Sequence, residues 1–130
     1  MTEIDTYVEA LACRAPAVRE VWLLGSRANG DARTDSDWDL LVFGQPDAVA
    51  QLKAATDLHR ADVDCLVLVD PDRFQAAWGE KPKGGFLSEW DWRQVSPSRA
   101  TYTEAKWRDA EDGAGVVTRQ RQAVRKWPAP

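Results

Sequence analysis

Apolar and polar positions fall in blocks along this chain, and the blocks mark out elements. Ile4, Val8 and Leu11 follow helical spacing behind Thr2, with Glu3 and Asp5 in the first turn where the helix dipole favours anions. A helix is predicted there, ended by Pro16. Residues 18–24 are predicted as a strand whose apolar run, Val21 to Leu24, stops at Gly25-Ser26, where glycine supplies the backbone freedom for a sharp turn. A polar loop with the turn chemistry of Asn29-Gly30-Asp31 and Thr34-Asp35-Ser36 follows. A second strand, residues 37–43, opens on Asp37 and Asp39 and continues as Leu40 to Phe43, all apolar, as expected of a central strand covered on both faces. Pro46 at a first helical position, then Val49, Leu52, Ala55 and Thr56, predict an amphipathic helix ending near His59. Residues 61–70, ADVDCLVLVD, are a third strand that again starts with acids and turns apolar.

Beyond this point the pattern is less definite. Asp70-Pro71 reads as the cap of a short helix through Phe74, Ala77 and Trp78, and residues 79–85 as a Lys/Pro/Gly loop. Residues 86–95 and 100–107 fit strands or short helices, and residues 116–127 fit helical spacing slightly better than extended spacing. Five of the seven tryptophans, Trp78, Trp90, Trp92, Trp107 and Trp127, lie in this part; they read as core and cover for the sheet, with base stacking as the functional alternative. The fold class expected is α/β: one domain over residues 1–130, with a mixed sheet carrying acids on one face, helices on the other, and a Trp-rich C-terminal extension from residue 71.

Composition changes this picture little. Hydrophobic residues at 44% and charged residues at 29% suit a globular chain. No apolar run approaches the roughly 20 residues of a membrane span, and the acidic start MTEIDTYVEA is unlike a signal peptide, so a cytoplasmic location is expected. Cys13 and Cys65, without CxxC spacing, read as small core residues. Charge changes it more. The net charge of −4 divides into −8 for residues 1–72 and +4 for residues 73–130, so the front half calls for cations, while Arg119, Arg121, Arg125 and Lys126 suit a solvated face, phosphate, nucleic acid or an acidic partner protein.

The chemistry lies in the acids. Strand side chains alternate faces, so Asp37 and Asp39 point one way and Trp38 and Leu40 the other, and Asp62 and Asp64 likewise share a face. An EF-hand is excluded: counting from Asp35, position six is Leu40 and position twelve is Pro46. No GxxxxGK[ST] occurs, which excludes a P-loop. His59, at a helix end, reads as a solvated cap.

The series GSRANG, a polar loop, SDWDLLV and then VDCLVL resembles the nucleotidyltransferase superfamily of DNA polymerase beta, and most nearly its minimal nucleotidyltransferases. The resemblance covers residues 18–70; Asn29 stands where an Arg is common, and Trp38 where a small aliphatic is usual. It implies transfer of a nucleoside monophosphate, AMP from ATP, with Mg²⁺ or Mn²⁺ held by Asp37, Asp39 and Asp64; Asp62 is the rival third acid, but Asp64 joins the apolar run directly. Two such ions about 3.5–4 Å apart stabilise the attacking and leaving oxygens together. Asp64 also helps deprotonate the acceptor, Gly25 and Ser26 hold phosphates, and Arg27 or Arg33 neutralises the triphosphate. The resemblance further implies a protein acceptor, a HEPN-type toxin, with this chain as antitoxin, or a second copy completing the site. A catalytically silent module that blocks its partner is the alternative, and nothing in the sequence indicates nucleic acid as acceptor.

Overall fold

The computed structural model describes residues 3–78, 84–108 and 115–128. Helix α1 (Glu3–Arg14) leads into strand β1 (Val18–Leu24), a short helix α2 (Gly25–Asn29), β2 (Trp38–Gly44), α3 (Asp47–Ala54), a 3₁₀ turn at Thr56–Leu58 and β3 (Val63–Leu68). The strands that follow are β4 (Arg73–Ala76), β5 (Gly84–Phe86), β6 (Arg93–Ser96), β7 (Arg99–Arg108) and β8 (Gly115–Trp127), with a 3₁₀ turn at Leu87–Trp90 between β5 and β6. They make one sheet in the order β5-β4-β3-β2-β1-β8-β7-β6. The β2–β3 pair is parallel, joined through α3, and the other pairs are antiparallel. This is a mixed α/β fold, as expected.

Alternation along the central strands builds two cores. Val21 and Leu23 of β1, Leu40 and Val42 of β2, and Val63, Cys65 and Val67 of β3 face the helices, where Ile4, Val8, Leu11, Ala48 and Leu52 cover them. Trp22 and Leu24, Leu41, and Leu68 face the other way and pack with Phe74, Leu87, Ala100, Tyr102 and Ala123. Asp39 and Asp64 fall on that second side, so the acids lie opposite the helices. The sheet also curls. Strands β3 and β7 are four positions apart, about 19 Å if the sheet were flat, yet they line one cleft. Trp92 packs into the curl at 5.4 Å from Trp22 and 5.7 Å from Phe43, ring centre to ring centre.

Several expectations are corrected. The Asp70-Pro71 helix is instead a hairpin into β4: the Asp70 carboxylate accepts from the amides of Asp72 and Arg73, as a helix cap would, but the turn ends there and Phe74 pairs with Leu68. Residues 116–127 belong to β8, where buried Arg121 and Ala123 alternate with exposed Gln120 and Gln122, so a period of two wins over the helical spacing of Val116, Gln120, Ala123 and Trp127. Helix α3 stops at Ala54 rather than near His59, and Pro46 precedes its first residue. Gly25 and Ser26 open α2 rather than form a bare turn, and Gly84 and Gly85 belong to β5. Cys65 is buried as expected, but Cys13 is exposed because α1 turns its Leu11 face inward. Trp78 and Trp127 pack against the helix-side core and Trp90 and Trp92 against the other, as core and cover. The Thr2 cap, most of the 79–85 loop and the Trp107 side chain lie outside what is described.

Candidate active site

The site begins where β1 runs out. Gly25 takes φ 69°, a left-handed conformation open to glycine, and a side chain there would run into the carboxylate of Asp39. Its N–H donates to the Tyr102 hydroxyl at 2.8 Å. Helix α2 ends at Gly30, φ 77°.

Asn29 accounts for its place in the motif. Its amide nitrogen donates to the carbonyls of Gly25 (2.7 Å) and Gln122 (3.0 Å), and its carbonyl oxygen accepts from the Gln122 N–H at 2.8 Å. The side chain thus pairs with β8 as a strand backbone does, which an Arg, having no acceptor, is unable to do. Beside it, Asp31 accepts two bonds of 3.1 Å from buried Arg121, whose guanidinium holds the Asp31 carboxyl below its usual range. These contacts dock the β7–β8 ribbon onto the motif.

Parallel pairing of β2 with β3 puts Asp39 directly opposite Asp64. Both line a cleft of about 220 Å³ together with Leu24, Gly25, Leu66, Trp90, Tyr102 and Glu104. Asp37, one residue ahead of β2, is exposed and outside this lining. The rival Asp62 is engaged elsewhere: Arg60 donates to it at 2.9 and 2.6 Å while also reaching Glu3 at 2.7 Å, and the bonds from Arg60 lower the Asp62 pKa.

Ser26 sits half-buried in the first turn of α2. Arg27 is turned to the polar loop, donating to the carbonyls of Ser36 (2.8 Å) and Thr34 (3.2 Å) with its guanidinium 4.4 Å above the Trp38 ring. That cation–π contact and the helix-side core provide the room that Trp38 requires between the acids. Arg33 is exposed, its N–H bonded to the Ser36 hydroxyl. His59 is exposed and stacked on Trp78 at 5.9 Å.

Sequence reasoning did not name Tyr102 or Glu104 as parts of the site, and named Trp90 only as one of five tryptophans for which base stacking was the alternative to core and cover. Burial pushes the Tyr102 phenol above its ordinary pKa, and Glu104 is ion-paired with Arg119 (3.2 Å) and Arg121 (3.1 Å). The signal available was the alternation in TYTEA, which places Tyr102 and Glu104 on one face of a strand.

With an acid pair on adjacent parallel strands beside a glycine-opened turn, the geometry agrees with the family match: residues 8–73, just over half of the chain, match the family described as polymerase beta, nucleotidyltransferase. The chain belongs to that family. Its general activity class is therefore nucleotidyl transfer. No curated protein and no solved structure matches it. Among the described residues no group of three or more His, Cys, Asp or Glu side chains is disposed to hold a metal ion. Mg²⁺, however, is commonly bound through one or two carboxylates, with water and substrate phosphate completing its shell. Asp39 and Asp64, opposed on one face of the sheet with the Gly25 backbone close to Asp39, fit that donor set. Among the described residues no helix is long and apolar enough to cross a membrane.

Proposed function

We propose that this chain is a metal-dependent nucleotidyltransferase of the minimal type, moving AMP from ATP to an acceptor hydroxyl. The observation that carries the reading is the register pair Asp39–Asp64 opening into the same cleft as Gly25. Asp39 and Asp64 would hold Mg²⁺ or Mn²⁺, with Asp37, two residues from Asp39 and exposed, joining them once its side chain turns inward. The ion would neutralise charge on the phosphates. The acceptor oxygen attacks the α-phosphorus, the bond to the bridging oxygen of the β-phosphate breaks, and pyrophosphate leaves. Asp64 takes the acceptor proton. Gly25 and Ser26 lie where the triphosphate would approach the start of α2, and Arg27 keeps the preceding loop in place so that Asp37 stays close. The acceptor we favour is a partner protein, a HEPN-type toxin, in a cytoplasmic toxin–antitoxin pair, the arrangement that the resemblance of GSRANG and SDWDLLV to minimal nucleotidyltransferases implies.

Calorimetry with ATP, with and without Mg²⁺, tests this. Two opposed carboxylates repel a triphosphate, and a divalent ion reverses that field, so affinity is expected to depend steeply on metal. Equal binding without metal would sink the reading. One observation favours a second reading, a silent module that blocks its partner: Asp37 stands outside the cleft lining. A partner that is bound but never adenylylated would support it.

A further inference from the structure

Resting on the transferase reading, we infer that Trp90 is the platform on which the base of the nucleotide stacks, and that the cleft holds the base without reading its edge. The cleft is divided along its length. Asp39 and Asp64 stand at one end, and the concave face of β3 then continues as Leu66 and Leu68 in steps of about 7 Å. Phe74, opposite Leu68, carries the Trp90 ring at 4.6 Å, and Tyr102 lies 5.8 Å from it on the far side of the curl. The last residue of the 3₁₀ turn Leu87–Trp90 is therefore a half-buried indole wedged between the two flanks of the sheet and lining the cleft beyond the acids. An α-phosphate at the acids leaves the attached base one nucleoside length further on, against that ring.

Among the described residues that line the cleft, none beside the ring is placed to distinguish one base from another. Leu24 and Leu66 have no polar side-chain atoms, the Tyr102 hydroxyl is held at the Gly25 N–H, at the acid end of the cleft, and Glu104 is ion-paired with Arg119 and Arg121. Stacking tolerates any base and grows with ring area, so purines are held better than pyrimidines while ATP and GTP are held alike.

The test is calorimetry in Mg²⁺ with ATP, GTP, CTP and inorganic tripolyphosphate as separate probes, on the whole chain and on Trp90→Leu and Trp90→Phe. Wild-type protein is expected to bind ATP and GTP roughly five- to 150-fold more tightly than tripolyphosphate, the range that one stacked base supplies. Trp90→Leu, which keeps apolar bulk without a π-face, should erase that advantage and leave tripolyphosphate affinity unchanged, and Trp90→Phe should restore part of it. If the wild type holds ATP no better than tripolyphosphate, or Trp90→Leu weakens both equally, the platform is disproved while the transferase reading stands. A strong preference for one purine disproves the unread edge. If neither ATP nor tripolyphosphate binds in Mg²⁺, the transferase reading fails and takes this inference with it.

Discussion

Asp39 and Asp64 face each other across adjacent strands, and like charges in that relation destabilise a sheet. Asp39→Asn and Asp64→Asn are therefore expected to abolish transfer while the metal-free melting temperature holds or rises; a collapse of the fold in thermal melts would make these acids structural. Asp37→Ala should also remove activity, whereas Asp62→Ala should retain it, since Arg60 already holds that carboxylate. Rate measurements on the four variants decide which three acids act together. Gly25→Ala should be worse than its size suggests. The added methyl meets the Asp39 carboxylate, and a left-handed conformation costs a non-glycine residue about 1–2 kcal/mol, so both stability and metal-dependent ATP binding should fall, as denaturant titration and calorimetry would show.

Among the elements, the β7–β8 ribbon is the one whose docking the motif depends on. Asn29 makes three hydrogen bonds, two of them to Gln122, so Asn29→Ala is expected to cost about 1–3 kcal/mol and to loosen the ribbon, read as faster hydrogen exchange along residues 119–123. This ribbon is also where the sequence was hardest to read. The helix–strand–loop–strand core was legible because Ile4, Val8 and Leu11, and then Val21 to Leu24 and Leu40 to Phe43, are apolar patterns covered locally. Asp39 and Asp64 could be placed on one face by counting residues from an apolar run. Residues 116–127 could not be assigned in that way, because the polarity of Arg119 and Arg121 is balanced by Asp31 and Glu104, which lie far away in the chain. The cleft wall failed for the same reason: Trp90 is placed by Phe74 and Tyr102, and no local period announces a ring wedged between two flanks of a curled sheet.

At the scale of the whole molecule, acid should unfold this protein through its tethers. Asp31, Asp57 and Asp62 have lowered pKa values through bonds from Arg121, Arg14 and Arg60, and Asp70 through backbone amides. A carboxylate whose folded pKa lies below its unfolded value, about 3.9 for Asp, stabilises fully above the unfolded value and loses that contribution as pH falls through the folded one. Urea midpoints should thus be flat from pH 7 to 5 and drop below about pH 4; a midpoint that rises on acidification would contradict the role of these pairs. The second core is as necessary as the first. Trp22 is almost fully buried with Trp92 against it, and Trp22→Ala should cost about 3–5 kcal/mol, measured as a lower urea midpoint.

The strand hydrogen-bonded to β1 on its second side is β8, the last of the described strands. The family segment, residues 8–73, leaves the ribosome with the far edge of β1 open and with Gly25 and Asn29 still lacking Tyr102 and Gln122. An open strand edge is a template for pairing with other chains. Biosynthesis therefore carries an interval in which the motif exists but its support does not, and it closes only when residues 124–127 reach β1. A stop codon ahead of β8 would thus yield an aggregating fragment rather than a small transferase.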